Sequence, residues 1–185
     1  IKAFAVLVLL CALAAAAFAL KNAFDRETHP LKYTGLVETY AEQNKLDKYL
    51  VYAVIKTESG FDETAESDVG ARGLMQIMEN TYDWIKFKME NESSQSFDDM
   101  YKASYNIEYG AFLISSLYYE FSEDITTAMA AYHAGRGQVH EWLENTEYSA
   151  DGQRLDTIPS KATAHYVDKI LKAYETYKRL YKEEK

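Results

Sequence analysis

The sequence predicts a mainly α-helical domain preceded by one apolar N-terminal helix. Apolar residues recur at three- and four-residue spacing along most of the chain, and no stretch alternates apolar and polar residues as a half-buried strand does. A content of 48% hydrophobic and 26% charged residues belongs to a packed globular chain and excludes a disordered one.

Residues 3–20 carry no polar side chain beyond a lone cysteine. As a helix rising about 1.5 Å per residue they reach about 27 Å, close to the hydrocarbon thickness of a bilayer. The run exceeds the roughly 7–15 apolar residues of a secretory signal core. It is therefore expected as a single-pass anchor over residues 1–20, while Ala17-Phe18-Ala19 keeps a cleaved signal peptide open as the alternative. Residues 21–30 are expected as a linker and residues 31–185 as one domain on the extracytoplasmic side of the cell membrane.

In that domain Tyr33, Leu36, Val37, Tyr40 and Ala41 fall on one helical face until Asn44-Lys45 interrupts it. Asp47 is a suitable N-cap for a second helix carrying Leu50, Val51, Val54 and Ile55, which Gly60 stops. A glycine-punctuated loop over residues 68–73 leads into residues 74–78 and an amphipathic stretch through Trp84 and Ile85. Residues 90–99 are polar and read as a surface loop. Ile107, Gly110, Ile114, Leu117 and Phe121 mark the next helix, and residues 128–132 a short one ended by Gly135-Arg136-Gly137. The last helix starts near Ser160 and presents Tyr166, Val167, Ile170, Leu171, Tyr174 and Tyr177 on one face.

Composition excludes several functions. A net charge of −9 repels nucleic-acid phosphates, so no nucleic-acid partner is expected. Cys11 stands alone, which rules out an internal disulfide and a multi-cysteine zinc module. His29, His133, His140 and His165 form no H-E-x-x-H arrangement, and no metal is expected. Gly70-Ala71-Arg72-Gly73 lacks the Lys-Ser/Thr ending of a phosphate-binding loop.

Glu58 is the candidate for chemistry. Val51, Val54 and Glu58 lie at i, i+3 and i+7 on one apolar stripe, which turns the carboxylate inward. It also sits in the last helical turn, where the dipole is negative; dipole and desolvation both favour the neutral acid. A glutamate with a raised pKa is what a general acid at neutral pH requires. On spacing alone, the alternative is a helix-end residue paired with Lys56 or Arg72.

The run Ile55-Lys56-Thr57-Glu58-Ser59-Gly60-Phe61 is followed by Ser67-Asp68-Val69-Gly70-Ala71-Arg72-Gly73-Leu74-Met75-Gln76-Ile77-Met78. Further on come Asn106-Ile107 with Gly110, then Ala130-Ala131-Tyr132-His133-Ala134-Gly135, then Ile158-Pro159 before Tyr166-Val167. In this order the blocks resemble those of the soluble lytic transglycosylase (SLT) domain family, over roughly residues 30 to 180.

The resemblance implies a lysozyme-like helical fold, of the goose-type lysozyme kind. It also implies an enzyme that cleaves the β-1,4 bond between N-acetylmuramic acid and N-acetylglucosamine in peptidoglycan without water, leaving 1,6-anhydromuramic ends. Glu58 is then the sole acid/base, the substrate's N-acetyl group participates, and no cofactor is needed. Ser67 and Tyr166 are implied as polar contacts near the reacting sugar, and Gln76 and Met78 as groove lining. Gly73, with Gly70, is implied to serve backbone geometry and close approach of the glycan. Tyr132 is implied to orient groups around the glutamate, and Tyr118, on the helix after Asn106, completes the substrate-binding candidates with His133. The implied partners are peptidoglycan glycan strands, the membrane through the N-terminal helix, and a cell-envelope complex.

This chain departs from the family pattern where His133 replaces an asparagine and where Ala162-Thr163-Ala164 replaces a charged triplet. Two alternatives stay open on that account: a muramidase of the same fold that yields reducing ends, and a degenerate domain that binds glycan without cleaving it.

Overall fold

The computed structural model describes residues 2–90 and 94–182. In chain order its helices are α1 (Lys2–Thr28), α2 (Thr34–Gln43), α3 (Lys48–Glu58), α4 (Glu79–Lys88), α5 (Ala103–Glu120), α6 (Ile125–Ala134), α7 (Arg136–Leu143) and α8 (Lys161–Tyr181). A 3₁₀ turn at Phe97–Tyr101 precedes α5. Strands are absent among the described residues; two isolated bridges, Glu66 with Arg72 and Arg72 with Ile77, pin one loop.

The middle of α3 is buried on every face, from Tyr49 to Ile55, as befits a helix that is apolar all round and central. Burying side chains such as Val51, Val54 and Ile55 contributes roughly 1.5–3 kcal/mol each before conformational entropy is subtracted. Asp47 caps the helix by accepting from Tyr49 N at 2.9 Å, and it also accepts from Tyr174 Oη at 2.8 Å. Tyr49 Oη donates to Tyr181 O at 2.7 Å. The start of α3 is thereby fastened to the end of α8, so the two helices run antiparallel. Helices α2 and α8 flank α3, α6 packs between α5 and α8, and α7 rests on α6.

Helix α8 follows its expected pattern. Ser160 caps it by accepting from Thr163 N at 3.3 Å, and Tyr166, Val167, Ile170, Tyr174 and Tyr177 are buried. Leu171 lies half-buried at the edge of that face.

Three expectations are corrected. Residues 21–28 are not a linker but the continuation of α1, because Asp25 accepts from Lys21 and Arg179, and Arg26 donates to Leu180 O at 3.1 Å. Residues 74–78 lead, as expected, into the amphipathic stretch: Arg72 and Ile77 exchange backbone hydrogen bonds of 2.9 and 3.0 Å, and α4 begins at Glu79. The short helix at 128–132 extends over Ile125–Ala134, capped by Asp124, and α7 follows it directly after Gly135, whose φ of 88° turns the chain. The polar loop at 90–99 has residues 91–93 outside the described residues, and its end enters the 3₁₀ turn through a Ser96–Asp99 capping box.

Helix α1 leaves Phe4, Leu7, Leu9, Leu10, Leu13 and Phe18 more than half exposed. Its span Phe4–Thr28 is long and apolar enough to cross a membrane.

Candidate active site

The apolar stripe of α3 delivers Glu58 to the point where α3 meets α8 and α6. Val51 and Val54 are fully buried beneath it, and Glu58 itself is half-buried. Tyr166 Oη donates to Glu58 Oε1 at 2.6 Å. Burial raises the Glu58 pKa from 4.5 to about 7, against the opposing effect of the Tyr166 hydrogen bond.

Tyr132 forms the adjacent wall from α6. Its hydroxyl donates to Met75 O at 2.7 Å, and burial, then the Glu58 charge, hold its pKa well above that of a free tyrosine. Tyr166 is shifted in the same direction by the same two causes, so both hydroxyls keep their protons as donors. The His133 ring packs on Tyr166 with centroids 4.6 Å apart, and His133 Nδ1 lies 3.2 Å from Thr163 Oγ1. Partial burial lowers the His133 pKa, which favours the neutral ring.

His133, one departure from the family pattern, thus touches Thr163, the middle residue of the Ala162-Thr163-Ala164 triplet. Thr163 is buried and also donates to Ser160 Oγ at 3.1 Å, while Ala162 and Ala164 continue the first turn of α8.

The remaining candidates are placed otherwise. Ser67 Oγ accepts from Ala71 N at 3.0 Å and so closes its own loop. Gln76 has a left-handed φ of 48°, and its amide donates to Gly73 O at 2.9 Å and Ala65 O at 3.2 Å. At Gly73 the close neighbours are protein groups, not an open surface: an added Cβ would lie 2.2 Å from Met100 O and 2.4 Å from Asn106 Nδ2. Met78 is half-buried at the N-cap of α4.

Tyr118 is not brought to Glu58. It lines a hollow with Asp47 and Tyr174 at the opposite end of α3, whose 11 residues make about 16 Å.

Two features were missed by sequence reasoning. Asn106 is fully buried and holds the loop ahead of α4: Oδ1 accepts from Met75 N at 2.7 Å, and Nδ2 donates to Met100 O at 2.8 Å and Arg72 O at 2.9 Å. Beside Tyr132 opens a hollow of about 260 Å³ whose lining includes Asn80, Thr81, Trp84 and Arg136. The Arg136 guanidinium lies 5.0 Å over the Trp84 ring and donates to both Glu120 oxygens at 2.7 and 2.9 Å. The sequence signal for it was an arginine between two glycines directly after the Tyr132-His133 block.

A neutral carboxylic acid held by a phenol, beside a hollow that offers an aromatic face and polar groups, can donate a proton to a bound sugar and take one back. Among the described residues no group of three His, Cys, Asp or Glu side chains is placed to hold a metal.

The profile of the Transglycosylase SLT domain family matches residues 35–154. The chain is 30% identical over 156 residues to the soluble lytic murein transglycosylase of Escherichia coli (strain K12), covering 84% of this chain and 24% of that protein. It is 28% identical over 178 residues to the membrane-bound lytic murein transglycosylase C of Yersinia enterocolitica, covering 85% and 49%. The chain thus spans a quarter to a half of the length of these relatives. Among solved structures, an inactive mutant of the lytic transglycosylase Slt from Pseudomonas aeruginosa aligns with a TM-score of 0.73 and 30% identity, over 82% of this chain and 24% of that one. The mainly helical, lysozyme-like fold, the ordered sequence blocks and the profile match agree, and the chain belongs to the transglycosylase SLT domain family.

Proposed function

We propose that the chain is a membrane-tethered peptidoglycan lytic transglycosylase with Glu58 as its sole acid/base. The observation that carries this reading is the Glu58 carboxyl, buried enough to raise its pKa to about 7 and held at 2.6 Å by the Tyr166 hydroxyl. Most glycosidases use a carboxylate pair, whereas in the proposed scheme the substrate supplies the second group.

Glu58 protonates the glycosidic oxygen while the carbonyl oxygen of the muramic N-acetyl group attacks the anomeric carbon. The glycosidic bond breaks and the leaving sugar departs with the proton. Glu58, now ionised, takes the proton of the muramic 6-hydroxyl, whose oxygen displaces the N-acetyl oxygen and closes the 1,6-anhydro ring. Tyr166 orients the carboxyl and stabilises its charged form between the two steps. Tyr132 and His133 wall the site. The scheme uses no cofactor.

Residues 1–20 serve as the anchor and residues 31–185 as the working domain, facing the cell wall from the outer side of the membrane. The exposed apolar surface of α1 supports the tether, since water does not tolerate so long an apolar face.

The test is digestion of purified peptidoglycan by the full chain in detergent, beside Glu58→Gln, with products read by mass spectrometry. Anhydromuropeptides from the unsubstituted chain alone are the expected result. Reducing ends would reassign it as a muramidase, and co-sedimentation with the wall without products would make it a binding domain.

A further inference from the structure

His133, on α6, touches two residues of α8 that stand one turn apart. Its ring lies on the Tyr166 ring with centroids 4.6 Å apart and planes inclined by 34°, and its Nδ1 lies 3.2 Å from Thr163 Oγ1. Positions three apart on a helix share a face, so one imidazole reaches both side chains at once. The family pattern has asparagine at this position. An amide can hydrogen-bond to Thr163, but it has no ring to lay on Tyr166.

The hydrogen bonds decide which nitrogen carries the proton. Thr163 has a single hydroxyl proton, which it gives to Ser160 Oγ at 3.1 Å. The proton shared with His133 therefore comes from Nδ1, and Nε2 keeps the lone pair. Ser160 is the cap of α8, where it also accepts from Thr163 N at 3.3 Å. The imidazole is thus keyed to the first turn of α8, and partial burial, which lowers its pKa, favours this neutral form.

A ring fixed in this way constrains Tyr166. A phenol oxygen lies on the long axis of its ring, so it leaves its place only when the whole ring swings about χ1. Tyr166 is buried, and the His133 ring lies on it and blocks part of that swing. The oxygen so held is the one that donates to Glu58 Oε1 at 2.6 Å. Hydrogen bonds weaken steeply as distance and angle depart from their best values, so a looser Tyr166 ring is a weaker partner for the carboxyl. Around Glu58 stand this phenol from α8 and the neutral Tyr132 phenol from α6, which leaves the Tyr166 bond as the contact through which His133 reaches the carboxyl.

We propose that His133 is a positioning residue, whose ring holds the Tyr166 hydroxyl on Glu58 and which acts on the reaction through Tyr166 and not by contact with the substrate. The proposal deepens the reading of Glu58 as the acid/base and rests on it. It gives this departure from the family pattern a part in catalysis.

The full chain, with glutamate carboxyls labelled by carbon-13 and held in phosphatidylcholine nanodiscs, is titrated with pH by NMR; the Glu58 signal is the one lost in Glu58→Gln. His133→Ala is expected to raise the Glu58 midpoint by roughly 0.3–0.6 pH unit, a part of what loss of the whole Tyr166 bond gives. His133→Phe restores a ring and should return most of that shift. In a Tyr166→Phe background His133→Ala should move the midpoint no further, because the link from His133 to Glu58 is already cut. In turnover of glycan strands, His133→Ala should lower kcat about three- to fivefold with KM within about twofold. Thermal melts of each variant confirm folding. A midpoint that His133→Ala leaves in place, that it moves as far in the Tyr166→Phe background, or that His133→Phe does not bring back would overturn the proposal and leave the enzymatic reading standing. A rise in KM with kcat and midpoint unchanged would make His133 a substrate contact and overturn it as well. Absence of products from the unsubstituted chain, with the midpoint shifting as expected, would instead overturn the enzymatic reading and keep the link from His133 through Tyr166 to Glu58.

Discussion

Tyr166 Oη donates to Glu58 Oε1 at 2.6 Å, so the start of α8 holds the carboxyl that ends α3. The bond favours the ionised carboxylate and works against burial, which has raised the Glu58 pKa to about 7. Tyr166→Phe removes the opposing effect, and the pKa rises further. A general acid must be protonated, so activity falls as pH passes through this pKa. The alkaline limb of kcat/KM should therefore move up by roughly 0.5–1 pH unit in the variant, for a hydrogen bond worth about 1 kcal/mol. The maximal rate should fall about tenfold as the carboxyl loses its orientation. A pH profile on glycan strands checks both, and a limb that moves down would contradict the assignment.

The same burial costs stability. Between pH 4.5 and about 7 the unfolded chain releases the Glu58 proton while the folded chain keeps it. The folded state binds more protons in that window, so stability declines as pH rises through it and levels off above. The interval corresponds to on the order of 3 kcal/mol at most. Glu58→Gln has no proton to lose. Its melting temperature should match that of the unsubstituted chain near pH 4 and exceed it at pH 8, as read by scanning calorimetry at both values.

How much of this was legible in sequence depends on range. The Asp47 cap and the inward stripe of Val51, Val54 and Glu58 involve neighbours on one helix, and local periodicity resolves them. Asn106 reaches Met75 across 31 residues and Arg72 across 34, and no local pattern reports such contacts. Tyr118 shows the limit most plainly: helical spacing tells which face a residue takes, but not which end of the neighbouring helix it meets. The Tyr166–Glu58 contact spans 108 residues; the family resemblance implied Tyr166 as a contact near the reacting sugar but did not pair it with Glu58.

Gly73 and Gly137 should respond to alanine in opposite directions. Gly73 has φ +74°, and a Cβ there would meet Met100 O at 2.2 Å and Asn106 Nδ2 at 2.4 Å. Gly73→Ala should cost about 3 kcal/mol or more, through backbone strain and displacement of the Asn106 amide. Gly137 lies inside α7 with nothing within 4 Å, so Gly137→Ala should stabilise by roughly 0.5–1 kcal/mol. Thermal unfolding of the two variants decides it, and changes of equal sign would contradict the placement of Gly73.

The apolar helix α1 and the helical domain are joined as a strut. Arg179 donates to Asp25 and, at 2.6 Å, to Asn22 Oδ1, while Tyr181 Oη donates to His29 O at 2.8 Å. The Arg26 guanidinium lies 5.0 Å over the Tyr181 ring. Arg179→Ala removes the two side-chain bonds to α1 and leaves the core of α3 and α8 untouched. With partly exposed ionic contacts worth about 0.5–1 kcal/mol each, local opening of the α1 end should rise about tenfold. Hydrogen exchange of the full chain in nanodiscs should then show faster exchange in residues 21–29 and unchanged protection in α3. Exchange rising equally in α3 would mean that Arg179 supports the whole domain, and exchange unchanged in residues 21–29 would mean that the strut is held by Tyr181 and Arg26 alone.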